Sequence, residues 1–455
     1  MMNTITSAET PPGTVTRFPL ASPDGVRRTA SGMPAISRPN RKLVFVSLAL
    51  VLLAGIFLRL PPALFAPSGS LHGLSRLHPV PKWHQMGFMG FDEELYREYV
   101  DDLSKKGLHH YPDIILAYIE KQVKLPGSIL PPVRFLYIFT SYLWHTVFRA
   151  DPLASLRAVA SFFSVLTLAL AAVFAWRVRP GAESVAVTAL VAFAPTQIHM
   201  SQHALVDGFF AFWALLAVWL LWENLQAPRK WGWLIGYTVA LSLLVLTKEN
   251  SFFVWIAILV VLITNRWLRF GTITRELLIA TAVGPLLGVV ALVFLAGGID
   301  VLFGTYRLLI AKNYRLPYAI KTGDGPWHRY LVDLLLVSPI VVLLAIGALF
   351  RINREKRLEL FFIAFIGGSY LVMCNLKYGM NLRYANMWDV PLRFLAVSML
   401  VSLTANFGRW SRVSLAVAII AISTLELRQY VILAIQSPLY ELVSEALLRA
   451  LHILK

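Results

Sequence analysis

The chain has 455 residues, of which 57% are hydrophobic and only 15% charged, with a mean hydropathy of +0.64. A water-soluble domain carries about 25% charged residues, so this balance excludes an ordinary soluble globular protein and makes lipid the solvent for most of the chain. The formal net charge of +17 would suggest nucleic-acid binding in a soluble protein. Here Lys and Arg lie mainly in short connections between apolar runs, so membrane orientation and phosphate contacts account for them and no nucleic-acid partner is expected.

Residues 1–42 are rich in Pro, Ser and Thr and end in the basic cluster Arg38, Arg41 and Lys42, the pattern of a disordered cytoplasmic tail. From there the sequence predicts an all-α polytopic membrane protein. Candidate spans are 43–60, 153–176, 184–198, 205–222, 231–246, 251–265, 277–296, 329–350, 359–375, 387–406 and 412–427, each dominated by Leu, Ile, Val, Phe and Ala. That is about 11 crossings, within a range of 10–13. Residues 43–435 form the transmembrane domain and 436–455 a C-terminal amphipathic segment. The single cysteine, Cys374, sits in an apolar run and has no intrachain partner, so disulfides play no part.

With the N-terminus inside, every cytoplasmic connection holds Lys or Arg: Arg177 and Arg179; Arg229 and Lys230; Arg266, Arg269 and Arg275; Arg351, Arg354, Lys356 and Arg357; Arg409 and Arg412. The positive-inside rule is then met throughout, provided that 133–148, with its polar Thr140, Ser141 and His145, is a partly embedded helix. The opposite face receives the stretches 61–152, 298–328 and 376–386 and the turns at 199–207 and 247–250. All the polar constellations fall on that face.

In the first outer stretch, Gly90-Phe91-Asp92-Glu93-Glu94 opens a helix with Leu95, Tyr96, Tyr99, Val100 and Leu103 on one face. A second amphipathic helix over 112–124 puts Ile115, Tyr118, Ile119 and Val123 on one side. Both are expected at the membrane interface. A carboxylate at the mouth of a lipid-lined cavity can act as general base toward a hydroxyl; an acid pair at a helix start equally serves as an N-terminal cap, which is the commoner role on spacing alone.

Asp207 stands at the edge of a span, where a charge must be paired or functional. His199 and His203, four residues apart, suit a hydrogen-bonded pair better than a metal site without a third ligand. No cofactor is expected to be required, and a divalent metal has no ligand set to support it. Lys248 in Thr247-Lys248-Glu249-Asn250 either meets a phosphate or pairs with Glu249. The stretch 298–328 carries Arg307, Lys312, Arg315 and Lys321 among Tyr306, Tyr314 and Tyr318, and Lys377, Arg383 and Tyr384 follow. Such cations suit either an anionic ligand or anionic lipid headgroups.

Together these pieces resemble the protein O-mannosyltransferase and aminoarabinose-transferase-like branch of the GT-C glycosyltransferases. The resemblance runs over 43–405 on Phe91-Asp92-Glu93, Leu125-Pro126, Pro131-Pro132, Arg157, Ala194-Pro195, Ser201-Gln202-His203-Ala204-Leu205-Val206-Asp207, Leu246-Thr247-Lys248-Glu249, Gly325-Pro326-Trp327-His328-Arg329-Tyr330-Leu331 and Arg383-Tyr384. The chain departs from better-known members at Leu125-Pro-Gly-Ser-Ile-Leu-Pro-Pro, which lacks their basic Pro-Pro pattern.

The resemblance implies an inverting transfer from a polyprenyl-phosphate sugar donor to a hydroxyl of a glycan, lipid or protein acceptor on the non-cytoplasmic face of the bilayer. It makes Asp92 the catalytic carboxylate with Glu93 its neighbour, and it places Arg157, His203, Asp207, Lys248, Lys312, Arg315, Arg383 and Tyr384 around the substrates. A transporter or flippase of a lipid-linked substrate would also carry intramembrane charges, and a non-catalytic envelope-assembly subunit would tolerate loss of Asp92. Internal repeats and paired broken spans, which a transporter would show, are not evident in the sequence.

Overall fold

Proline stands at the first or second position of the five helices that begin at Tyr111, Pro152, Pro195, Pro317 and Pro339. In the structure, a computed structural model that describes residues 41–78 and 89–454, every regular element among the described residues is a helix. The predicted tail lies outside them up to residue 40. Residues 40–455 form one compact unit.

The first helices are α1 (Arg41–Arg59), α2 (Phe91–Lys106), α3 (Tyr111–Lys124) and α4 (Phe135–Phe148). Then come α5 (Pro152–Val178), α6 (Ala182–Ala192), the short α7 (Pro195–Gln202), α8 (Val206–Gln226), α9 (Trp231–Val245), α10 (Ser251–Leu268) and α11 (Arg275–Ala296). A helix pair, α12 (Ile299–Asn313) and α13 (Pro317–Thr322), leads to α14 (Arg329–Val337), α15 (Pro339–Leu349) and α16 (Arg357–Met373). A tight 3-10 turn, Leu382–Trp388, precedes α17 (Asp389–Thr404), α18 (Ser411–Tyr430) and the short α19 (Ser444–Ala450).

Among the described residues, six segments are long and apolar enough to cross a membrane, and three shorter apolar helices are α6, α9 and α15. Two predicted spans are broken. The span over 184–198 stops at Ala192 and restarts at Pro195, and the span over 329–350 is interrupted at Ser338 before Pro339. Proline lacks the N–H that would continue the helix, so at each break it opens a new one, whereas Pro285 is accommodated inside α11.

Each break leaves backbone or side-chain groups that lipid cannot solvate, and buried arginines meet them. Arg59, fully buried, donates to the carbonyls of Gly55, Ala192 and Val191 at 2.9, 2.8 and 2.8 Å, and to Ser164 Oγ at 3.1 Å, capping the end of α6. At the second break Ser338 Oγ donates to Glu426 at 2.9 Å, and Arg393 joins Glu426 to Asp389, each at 2.9 Å.

Helix α9 packs on α8 and α11, and α5 on α6 and α8. The approach of α11 to α9 is close: Cβ atoms added at Gly284 and Gly288 would fall 2.8 and 2.6 Å from Leu241 Cβ and the Ser242 carbonyl oxygen. Small residues at four-residue spacing are how membrane helices pack without a hydrophobic driving force.

The predicted apolar face of α2 is buried in full: Leu95, Tyr96, Tyr99, Val100 and Leu103 pack with Ile115 and Tyr118 of α3, Tyr137 and Ile138 of α4, and residues of α5 and α8. Its cover is protein, because α4 and the 126–134 segment fold over it. On α3 the predicted face divides: Ile115 and Tyr118 are buried, whereas Val123 is exposed.

Candidate functional site

The start of α2 brings Asp92 and Glu93 to one end of the bundle, and the two carboxylates point into different surroundings. Glu93, fully buried, accepts from the backbone N–H of Gly90 at 2.9 Å and of Ala204 at 2.7 Å, and Arg157 Nη2 lies 3.4 Å away. The helix-cap role therefore belongs to Glu93, which also ties α2 to the turn before α8. Asp92, with its side chain 18% exposed, meets Arg383, whose Nη1 donates to Asp92 Oδ2 at 3.1 Å.

Arg383 is buried in the 3-10 turn before α17, and its other terminal nitrogen lies 3.0 Å from Glu441 Oε1. Asn381 donates to the second Glu441 oxygen. Glu441 comes from the segment between α18 and α19, which doubles back under the 3-10 turn; Leu382 N–H donates to the Leu442 carbonyl there at 3.4 Å. Burial pushes the Glu441 carboxyl above the ordinary Glu range, and Arg383 pulls it back.

Beside this group Lys248 Nζ donates to Asp207 Oδ1 at 2.5 Å and lies 4.1 Å from the centre of the Tyr384 ring. The alternative that Lys248 pairs with its neighbour Glu249 is not what forms. Glu249 instead takes Arg134, at the start of α4, whose Nη1 also donates to Tyr96 Oη at 2.7 Å. Burial alone would raise the Glu249 carboxyl, but Arg134 and then Lys248 outweigh it and hold it below the usual range; burial pushes the Lys248 ammonium down, with Asp207 opposing. Asn386 and Gln197 complete the floor: Gln197 donates to Asn386 Oδ1 at 2.5 Å, and Asn386 to the Asp207 carbonyl at 3.5 Å.

The structure thus gathers Asp92, Glu93, Arg157, Asp207, Lys248, Arg383 and Tyr384 from distant parts of the sequence. His203 is buried nearby, its ring 4.4 Å from that of His199 and 5.1 Å from that of Tyr440. Among the described residues no three His, Cys, Asp or Glu side chains converge to hold a metal. Lys312 is elsewhere engaged, donating to the carbonyls of Val123 and Leu125 at the end of α3, and Arg315 is exposed between α12 and α13.

Glu441, Arg134, Asn381 and Tyr440 are site residues that sequence reasoning missed. The one signal for Glu441 is a carboxylate soon after the last apolar helix; for Arg134 it is a cation directly after Pro131-Pro132-Val133.

Residues 106–302, a little under half of the chain, match the family described as dolichyl-phosphate-mannose-protein mannosyltransferase. Among solved structures, the oligosaccharyltransferase of Archaeoglobus fulgidus, tethered with an acceptor peptide, is similar with a TM-score of 0.56 at 13% identity, covering 86% of this chain and 55% of that one. The chain therefore spans about half the length of that enzyme. ArnT from Cupriavidus metallidurans is similar with a TM-score of 0.49 at 13% identity, covering 85% of this chain and 72% of that one. No curated protein matches the chain in sequence. Neither the family match nor the fold supports a transporter or a non-catalytic subunit. Residues 106–302 are thus similar to that mannosyltransferase family, and the chain shares the polytopic helical fold of the Archaeoglobus fulgidus oligosaccharyltransferase.

Proposed function

We propose that the protein moves a sugar from a polyprenyl-phosphate carrier to an acceptor hydroxyl at the non-cytoplasmic face of the membrane, with inversion and with Asp92 as general base. The observation that carries this reading is the division of work between two adjacent carboxylates. Both Glu93 oxygens accept backbone N–H groups, whereas Asp92 keeps part of its surface open beside Arg383.

In the step, the acceptor hydroxyl gives its proton to an Asp92 carboxylate oxygen while its own oxygen bonds to the anomeric carbon. The bond from that carbon to the carrier phosphate breaks, and its electron pair leaves with the phosphate. Arg383 and Lys248 supply positive charge in the same cluster, where it favours the charge growing on the leaving group. The donor class follows the mannosyl-phosphate lipid in the description of the matching family, and a protein, lipid or glycan hydroxyl serves as acceptor. Arg157, His203, Asp207 and Tyr384 hold the surroundings of the donor.

The test is release of free polyprenyl phosphate from polyprenyl-phosphate sugars by protein in lipid nanodiscs, with a cell-envelope fraction as acceptor source. Asp92→Asn, matched for thermal stability, loses about 100-fold or more in kcat, as removal of a general base does. Equal turnover by wild type and variant removes Asp92 from the role of base.

A further inference from the structure

We propose that Glu441 is a positioning residue that keeps Arg383 from closing on Asp92 with both terminal nitrogens, and so leaves one Asp92 oxygen open to the acceptor. The inference rests on the reading of Asp92 as the base. An arginine fork facing a lone carboxylate forms two parallel N–H···O bonds. Here the fork is divided: Nη1 goes to Asp92 Oδ2 at 3.1 Å and Nη2 to Glu441 Oε1 at 3.0 Å. With both oxygens clamped, Asp92 would be a weaker base and closed to a hydroxyl.

Glu441 is itself held in place. Asn381 donates to its second oxygen, His199 Nε2 lies 3.3 Å from the Tyr440 carbonyl, and Leu382 N–H donates to the Leu442 carbonyl at 3.4 Å. The Tyr440 ring lies directly against Gly90, the residue before α2, where an added Cβ would come within 2.3 Å of the ring. One short segment therefore touches both the start of the Asp92 helix and the side chain of Arg383, and fixes their separation. Asp207 and Tyr384 are also in electrostatic reach of Arg383, and Tyr96 and Tyr440 in reach of Asp92.

The experiment is the same turnover assay, with full-length protein in nanodiscs and polyprenyl-phosphate mannose as donor, followed against pH. Wild type, Glu441→Gln, Glu441→Asp, Arg383→Lys, the Arg383→Lys/Glu441→Gln pair and Asp92→Asn are compared. Glu441→Gln is expected to lower kcat about 10-fold or more and to move the acid limb of the pH–rate profile to lower pH, because a carboxylate beside the base is gone and the guanidinium closes on it. Glu441→Asp restores much of both. A lysine cannot fork, so Glu441→Gln costs less in the Arg383→Lys background.

A wild-type kcat and acid limb in Glu441→Gln overturns the proposal, as does an equal loss in the Arg383→Lys background. If Glu441→Gln melts early, Glu441→Asp decides: a native melting temperature with kcat and acid limb near those of wild type supports the role, and a loss of kcat as deep as that of Glu441→Gln overturns it. Asp92→Asn separates the two ideas. If that variant is inactive while Glu441→Gln is normal, only the positioning role fails; if it turns over like wild type, the base assignment fails and this inference with it.

Discussion

At the scale of single residues, the site is a set of charges that neutralise one another almost completely. Four carboxylates, Asp92, Asp207, Glu249 and Glu441, face three cations, Arg134, Lys248 and Arg383. Charges buried or half-buried in this way are held in pairs. The Arg134–Glu249 pair makes that dependence measurable. A carboxyl lowered on folding adds stability that is complete above its unfolded value of about 4.3 and is lost as the pH falls through the folded value. Melting temperature in nanodiscs should therefore be insensitive to this pair from neutral pH to about pH 5 and should drop in stronger acid. Glu249→Gln should melt lower at neutral pH and lose less on acidification; an equal acid loss in both proteins would show that the pair does not carry the effect.

Asp92 and Glu93 also show what residue type alone leaves open. Their order at a helix start fits cap and base alike, and the Ala204 N–H that helps to fix Glu93 as the cap lies 111 positions further along the chain. Lys248 is a similar case, since Glu249 is its neighbour in sequence but Asp207 is its partner in space.

At the scale of elements, prolines break two apolar runs that hydropathy reads as continuous, and a buried arginine makes each break tolerable. Arg59 is the sharper example, because α1 ends there and its guanidinium reaches the α6 carbonyls. Arg59→Leu would leave those carbonyls and Ser164 in an apolar setting. We expect it to destabilise the protein by about 3 kcal/mol or more, read as an earlier unfolding midpoint in an SDS titration of the detergent-solubilised protein. An unchanged midpoint would mean that neighbouring groups or water satisfy the α6 end.

At the scale of the whole molecule, the charge pattern implies an orientation that labelling can test. In a Cys374→Ser background, Lys321→Cys on α13 should react with a membrane-impermeant maleimide on intact cells. Arg354→Cys, between α15 and α16, should react only after permeabilisation. Both positions are exposed, so the reverse pattern would invert the topology and move the site to the cytoplasmic face.

The apolar runs, the amphipathic face of α2 and the clustering of polar residues between spans were all legible in the sequence, because hydropathy and helical periodicity are local properties. The same holds for Asp92, Asp207, Lys248 and Arg383 as charges out of place near lipid. Which charge meets which was decided only by the tertiary structure. The Arg383–Asp92 contact spans 291 positions, and Glu441 reaches the site because the chain doubles back after α18. Pairing of buried ions depends on distances of a few ångströms between helices, and no local pattern of residues encodes those.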